Sequence, residues 1–179
     1  MSDMLSRVAG APITWGADAS AGWGYLMDPA RVMSEMREAG LSATELGPDG
    51  FLPSDPQELK DFVAGYGMSM VGGFVPAILY QDKDMDADVQ YFERASDQLA
   101  EAGASNVVLG PRSHYDGYDT EIDMDDDQWE VFLRNLRRFQ DITEKRGLQT
   151  ALHPHWGMAI SRQNQVDRLL NSCDVGMCV

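Results

Sequence analysis

WEVFLRNLRRFQDITEKRGLQTAL, residues 129–152, contains the unit from which the whole chain is built. Trp129, Phe132, Leu133, Leu136 and Phe139 recur at helical spacing and give the clearest amphipathic helix in the sequence. Gly147 closes that helix, and residues 148–152 form a short apolar run that reads as a strand. Upstream, residues 106–109 read as a strand, preceded by a helix marked by Val89, Phe92, Ala95 and Leu99 and stopped near Gly103. Residues 69–75 make the strand before that, after a helix opened by Asp55-Pro56 with Leu59, Phe62, Val63 and Tyr66 on its apolar face. Residues 42–46 are another strand. Asp28-Pro29 opens the helix in front of it, with Val32, Met36 and Ala39 in register and Gly40 at its end. Pro12-Ile13-Thr14-Trp15 is the first strand candidate. Downstream, Val166, Leu169 and Leu170 sit on a fifth helix, and residues 175–179 read as a sixth strand.

Strictly alternating strands and helices imply an α/β fold with a parallel sheet and helical crossovers. Two architectures compete. A doubly wound parallel sheet of five or six strands fits 179 residues as one complete domain. A (β/α)8 TIM barrel takes about 250 residues, so the chain would hold only about its first five and a half units. Periodicity alone favours the doubly wound sheet. Either architecture places functional groups at the carboxyl ends of the strands.

The formal charge is −15, from 14 Lys+Arg against 29 Asp+Glu. Such a polyanion does not suit phosphate-backbone binding, so no nucleic-acid partner is expected. No run approaches the roughly 18 apolar residues that span a bilayer, and the N-terminus does not read as a signal peptide, so no membrane association is expected. Cys173 and Cys178 are too few for a disulfide framework, and a reducing cytoplasm is the default. The loop beginning Gly16-Ala17-Asp18 has neither a GxGxxG fingerprint nor a Walker lysine, and no GxSxG elbow is present.

His153-Pro154-His155 is the most informative segment. Two of the three histidines stand together at a strand end, and alternation puts both on one side if the strand continues that far. Imidazole serves as a divalent-metal ligand or as an acid/base group, and a pair satisfied by backbone hydrogen bonds is the plain alternative. Glu45 ends the second strand, where a carboxylate binds polyol hydroxyls, moves protons or closes an ion pair. Trp15 is either a stacking wall for a sugar ring or a packing residue.

Acidic residues gather after the third strand (Asp82, Asp84, Asp86, Asp88) and after the fourth (Asp116, Asp119, Glu121, Asp123, Asp125, Asp126, Asp127). The second group is no EF-hand: Gln128 stands where the glycine belongs and Arg134 where the closing glutamate belongs. These read as solvated loops whose last carboxylates cap the following helix. Their charge on the presumed site face would attract divalent cations and disfavour phosphorylated substrates.

Ala11-Pro12-Ile13-Thr14-Trp15 resembles the APIxW opening of inosose dehydratases. Ala43-Thr44-Glu45-Leu46-Gly47 resembles their TE(V/L)G segment. Leu152-His153-Pro154-His155-Trp156-Gly157, followed by Val166-Asp167-Arg168-Leu169-Leu170, is similar to their HxHxGT…VDRLL. The resemblance, to the sugar phosphate isomerase/epimerase group with a xylose-isomerase-like TIM barrel, runs over essentially the whole chain. It reverses the preference stated above: residues 1–179 become a single barrel domain incomplete at its C-terminus. The sixth strand of the family runs into DTGH, whose Asp is a metal ligand, whereas this sequence stops at Gly176-Met177-Cys178-Val179. The seventh-strand His and eighth-strand Glu ligands of the family are absent as well.

The resemblance implies a metal-dependent lyase or isomerase acting on an unphosphorylated polyol or sugar ketone, with Mn2+, Co2+ or Mg2+ as cofactor at a site incomplete in this chain. Epimerases of the superfamily carry Glu at the end of the fifth strand; His153 there matches the dehydratase branch. By position His153 is the implied metal ligand or acid/base and Glu45 the second catalytic candidate. His155, Trp156 and Trp15 are substrate-binding candidates, and Met158 replaces the family threonine. A sugar isomerase or epimerase is the neighbouring reading, and a non-catalytic half-barrel the alternative from another class. An open half-barrel leaves unpaired sheet edges, so the 179-residue chain by itself is expected to be a homo-oligomer.

Overall fold

The computed structural model describes residues 8–17, 25–114 and 120–178. Residues 18–22 of the first loop, Asp116, Asp119 and Val179 lie outside the described residues. The elements in chain order are a 3-10 helix Pro12–Trp15, α1 Pro29–Glu38, β1 Ala43–Glu45, α2 Pro56–Gly65, β2 Ser69–Gly72 and β3 Phe74–Ala77. They continue with α3 Met85–Glu101, β4 Asn106–Pro111, α4 Asp126–Glu144, β5 Gln149–Leu152, α5 Gln163–Ser172 and β6 Gly176–Met177. Among the described residues no helix is long and apolar enough to cross a membrane.

Strand order within each sheet is that of sequential winding. One sheet has the order β1-β2 and the other β3-β4-β5-β6, and the β1/β2 and β5/β6 pairs are parallel. Neighbours in each sheet are neighbours in sequence. A doubly wound sheet needs a reversal of order at its switch point, and neither sheet has one. Sequential winding through helical crossovers is that of a (β/α)8 barrel, here a partial one. The chain comprises two compact units, residues 1–74 with 97–106, and residues 75–96 with 107–179.

In the first unit the expected opening strand is not a strand. Pro12–Trp15 is a 3-10 helix, entered from extended Ala11 and closed by Gly16 at φ 75°. Proline at the first helical position and a glycine in the left-handed region bracket the apolar residues and curl them, overriding their strand-like composition. The strand position passes instead to Gly10, which bridges Thr44 in parallel, donating to the Ala43 carbonyl at 2.9 Å and accepting from the Glu45 amide at 2.9 Å.

The expected strand over residues 69–75 is two strands broken at Gly73. Gly72 explains part of this local geometry. A Cβ there would stand 2.8 Å from the Asn106 carbonyl oxygen, a backbone atom that cannot swing aside. Gly72→Ala is therefore expected to cost about 1–3 kcal/mol, read as a lowered denaturant midpoint at unchanged m-value.

Helix starts follow the expected chemistry. Asp28 accepts from the Arg31 amide at 3.1 Å and Asp55 from the Glu58 amide at 2.9 Å, each followed by proline. Asp125 and Gln128 form a reciprocal capping box on α4. Gln128, which rules out a calcium loop, thus has a structural task.

The core of the second unit gathers on α4, which packs on β5. Phe132, Leu136 and Phe139 are fully buried, and the Phe139 ring meets that of Phe92 at 4.5 Å. Asn135, also buried, donates to the Leu79 carbonyl at 2.9 Å, so the loop after β3 is tied to the helix by a satisfied polar group. On α5 Leu169 is fully buried, while Leu170 is 51% exposed and faces away from the core.

Candidate active site

In the second unit the ends of β3, β4, β5 and β6 are joined by hydrogen bonds that run past the strands. The Arg112 amide donates to the Ala77 carbonyl at 2.8 Å, and the His153 amide to the Leu109 carbonyl at 2.9 Å. The Cys178 amide donates to the Leu152 carbonyl at 2.9 Å. The ladder therefore carries His153 one residue beyond β5. Pro154 has no amide to continue it, and the His155 amide turns to the Ile160 carbonyl at 3.0 Å.

His153 Nδ1 lies 2.9 Å from the Cys178 carbonyl oxygen. A carbonyl only accepts, so Nδ1 carries the proton and the lone pair of the neutral ring is on Nε2. His155 Nδ1 makes the equivalent bond to the Trp156 carbonyl at 2.7 Å. The two imidazoles stand 5.5 Å apart, tilted by 49°. The condition for alternation, a strand running on to His155, is not met: β5 ends at Leu152 and the ladder stops at Pro154. His155 is exposed and Trp156 is 62% exposed, an unusually open position for an indole.

Tyr80 and Ser113, also in this unit, were not singled out in the sequence. Tyr80 donates its hydroxyl to the Ser113 carbonyl at 2.8 Å, and burial pushes that phenol above its ordinary range, so it stays protonated. Ser113 donates its own hydroxyl to the Gly157 carbonyl at 2.6 Å. The only sequence signal for Ser113 is its place directly after the strand-end segment Gly110-Pro111-Arg112. Met158, in the place of the family threonine, is 1% exposed and bridges Arg112 through its backbone.

The acidic loops are more neutralised than their composition suggests. Arg134 grips Asp82 at 2.6 and 2.7 Å, Arg162 grips Glu121 and Asp123, and Arg168 holds Asp126 at 2.8 Å. Arg134 and Asn135 hold the Asp82 carboxyl below its ordinary range. Arg162 and then Ser161 do the same for Glu121. These charges spend much of their field on neighbouring guanidinium groups rather than on an incoming cation.

In the first unit Glu45 is the last residue of β1, partly buried. The β1/β2 register slips between Thr44 and Glu45, pairing them with Met70 and Gly72, so the bulge re-aims the strand where the carboxylate stands. The loop after Glu45 encloses, with Gln98, a cleft of about 190 Å³ whose polar lining includes Asp49 and Ser54. Trp15 donates its indole N–H to Glu35 at 2.9 Å, and Glu35 is also paired with Arg31 at 2.7 Å. The Arg31 hydrogen bond holds the Glu35 carboxyl below its ordinary range. The structure thus places His153, His155 and Trp156 together in one unit, and Glu45 and Trp15 in the other.

Among the described residues no three His, Cys, Asp or Glu side chains converge to hold a metal ion. They do not by themselves make a metal site, and a divalent cation would need donors besides His153.

A strand-end imidazole pair on sequentially wound β/α units defines a class, and comparison with known proteins agrees with it. The chain belongs to the xylose isomerase-like TIM barrel family, whose model matches residues 22–179. It is 30% identical over 174 residues to the rhizopine catabolism protein MocC of Rhizobium meliloti, covering 94% of this chain and 53% of that one. It is 26% identical over 177 residues to inosose dehydratase of Geobacillus kaustophilus, covering 94% and 56%. The chain spans about half the length of these curated relatives. Among solved structures it is similar in fold to L-ribulose 3-epimerase, with TM-score 0.68, 15% identity, and 92% and 56% of the two chains covered. A xylose isomerase-like TIM barrel protein from Mycobacterium smegmatis, solved in complex with magnesium, gives TM-score 0.64 at 13% identity, covering 92% and 60%.

Proposed function

We propose that the protein is an enzyme of inosose dehydratase type that removes water from an unphosphorylated polyol ketone. The observation that carries this reading is the tautomer of His153. Its Nδ1 proton is engaged by the Cys178 carbonyl, which leaves Nε2 as the basic nitrogen at the end of β5. The similarity to curated inosose dehydratases supports the substrate class.

In this reading His153 Nε2 takes the proton from the carbon next to the substrate carbonyl. The C–H electron pair forms the carbon–carbon double bond of an enolate, and the carbonyl pair moves to oxygen. The enolate then reverts to the ketone, its carbon–carbon pair expelling the hydroxyl as the C–O bond on the next carbon breaks. The departing hydroxyl takes a proton from a general acid and leaves as water. No redox partner is needed. Glu45, at the carboxyl end of β1, is the second acid/base candidate, and the exposed Trp156 ring suits the apolar face of a polyol ring.

The test is incubation of the full gene product with scyllo-inosose and a divalent cation, following the absorbance of a conjugated enone. Enone formation with release of one water is the expected result. Interconversion of a ketose without an enone would assign the protein to isomerisation or epimerisation instead.

A further inference from the structure

We infer that Ser113 and Arg162 are positioning residues for the segment that carries His153, His155 and Trp156, tying it at its middle and at its end to the connection between β4 and α4. The consequence for turnover rests on the proposed function; the grip itself rests on geometry alone.

Residues 153–162 join β5 to α5 with no regular secondary structure. Two of their three functional candidates, His155 and Trp156, are exposed, so burial of their own side chains contributes little to holding them. Polar bonds from the preceding β/α unit hold the backbone instead. At the middle, Ser113 is 1% exposed and donates to the Gly157 carbonyl at 2.6 Å, immediately after Trp156. Tyr80 fixes Ser113 in turn through its carbonyl. The Ala159 amide donates to the Pro111 carbonyl at 2.8 Å beside this bond.

At the end, three side chains of the α5 start close on residues 121–123. Ser161 donates to Glu121 at 3.0 Å. The Arg162 guanidinium spans two carboxylates, Glu121 through Nη2 and Asp123 through Nη1 at 2.9 Å. Gln165, 5% exposed, accepts from the Ser161 and Arg162 amides at 2.9 Å each and donates to the Ile122 carbonyl at 3.1 Å. Only a planar fork reaches both carboxylates at once, which a lysine cannot do.

The two grips differ in character, and that makes them separable. The Ser113 bond is neutral and buried, so salt and mild acid leave it intact. The Arg162 fork is exposed and ionic, so salt screens it. His153 has its own anchor on Cys178 and is expected to stay in place when either grip is lost.

The experiment is amide hydrogen exchange on the full gene product, comparing Ser113→Ala, Arg162→Ala and the swap Glu121→Arg with Arg162→Glu. Ser113→Ala is expected to speed exchange at His155, Met158 and Ala159 by about ten- to a hundredfold, since it leaves a buried carbonyl unsatisfied. Arg162→Ala is expected to speed it by about three- to tenfold, an effect that fades in ~1 M salt and is restored in part by the swap. With scyllo-inosose, KM rises while kcat stays within about twofold, because the base keeps its anchor. Unchanged exchange in both single variants would overturn the inference, as would an effect of Arg162→Ala that neither salt nor the swap alters. Faster exchange in a protein that turns over no inosose would support the grip and sink the proposed function.

Discussion

His153→Asn in the full gene product is expected to lower kcat/KM on scyllo-inosose by about 10²–10⁴-fold, the usual worth of a general acid/base group. The choice of asparagine follows from the geometry. Its amide N–H₂ reaches the position of Nδ1 and can still donate to the Cys178 carbonyl, while the basic Nε2 is removed. Stability should therefore change little, and urea melts of the two proteins should nearly coincide. Glu45→Gln, measured beside it, assigns the roles. A deep loss in His153→Asn with a shallow one in Glu45→Gln makes the imidazole the base; the opposite pattern makes the base Glu45. Activity of His153→Asn within threefold of the parent would remove His153 from the chemistry.

Phe139→Ala is expected to destabilise the protein by about 3–5 kcal/mol. Phe139 is fully buried on α4, and its ring lies 4.5 Å from that of Phe92 on α3. Truncation removes that aromatic contact and leaves a cavity between two helices whose positions are set by other bonds, such as Asn135 to the Leu79 carbonyl. Collapse is thus resisted, which puts the cost at the upper end of the range. Chemical denaturation reads it directly, and a loss below about 1 kcal/mol would mean that the helices close over the gap. Phe139→Leu should recover most of the stability, because it refills most of the volume.

Much of the fold was legible in the sequence because helix starts and stops are local chemistry. Asp28-Pro29 and Asp55-Pro56 mark starts that the structure reproduces, a loop carboxylate, Asp125, caps α4 as expected, and glycines mark the ends. The first strand was misread for an equally local reason. Pro12 and Gly16 act on the backbone, whereas the apolar composition of Ile13 and Trp15 speaks only of burial, and Ile13 is in fact exposed. The two histidines were legible as neighbours in sequence at a strand end, but not their disposition, because β5 ends at Leu152 and the His155 amide turns to Ile160. Ser113, Arg162 and Gln165 were not, because each acts on a partner about 40 residues away. No local periodicity encodes such a distance.

By itself, the sequence determined the alternation of strands and helices, the caps, the acidic balance and the placing of His153 and Glu45 at strand ends. These follow from short-range sterics, hydrogen bonding and hydrophobic period. Periodicity left a doubly wound sheet and sequential winding open, since both use the same units and differ in which strands pair; the motif resemblance chose the barrel, and the strand order within each sheet agrees with it. Only the tertiary structure showed that the Cys178 carbonyl holds the His153 proton on Nδ1, and that arginines of α4 and α5 hold many of the acidic loop residues. Those outcomes depend on segments meeting in space, and the free energy of such meetings is set by long-range packing.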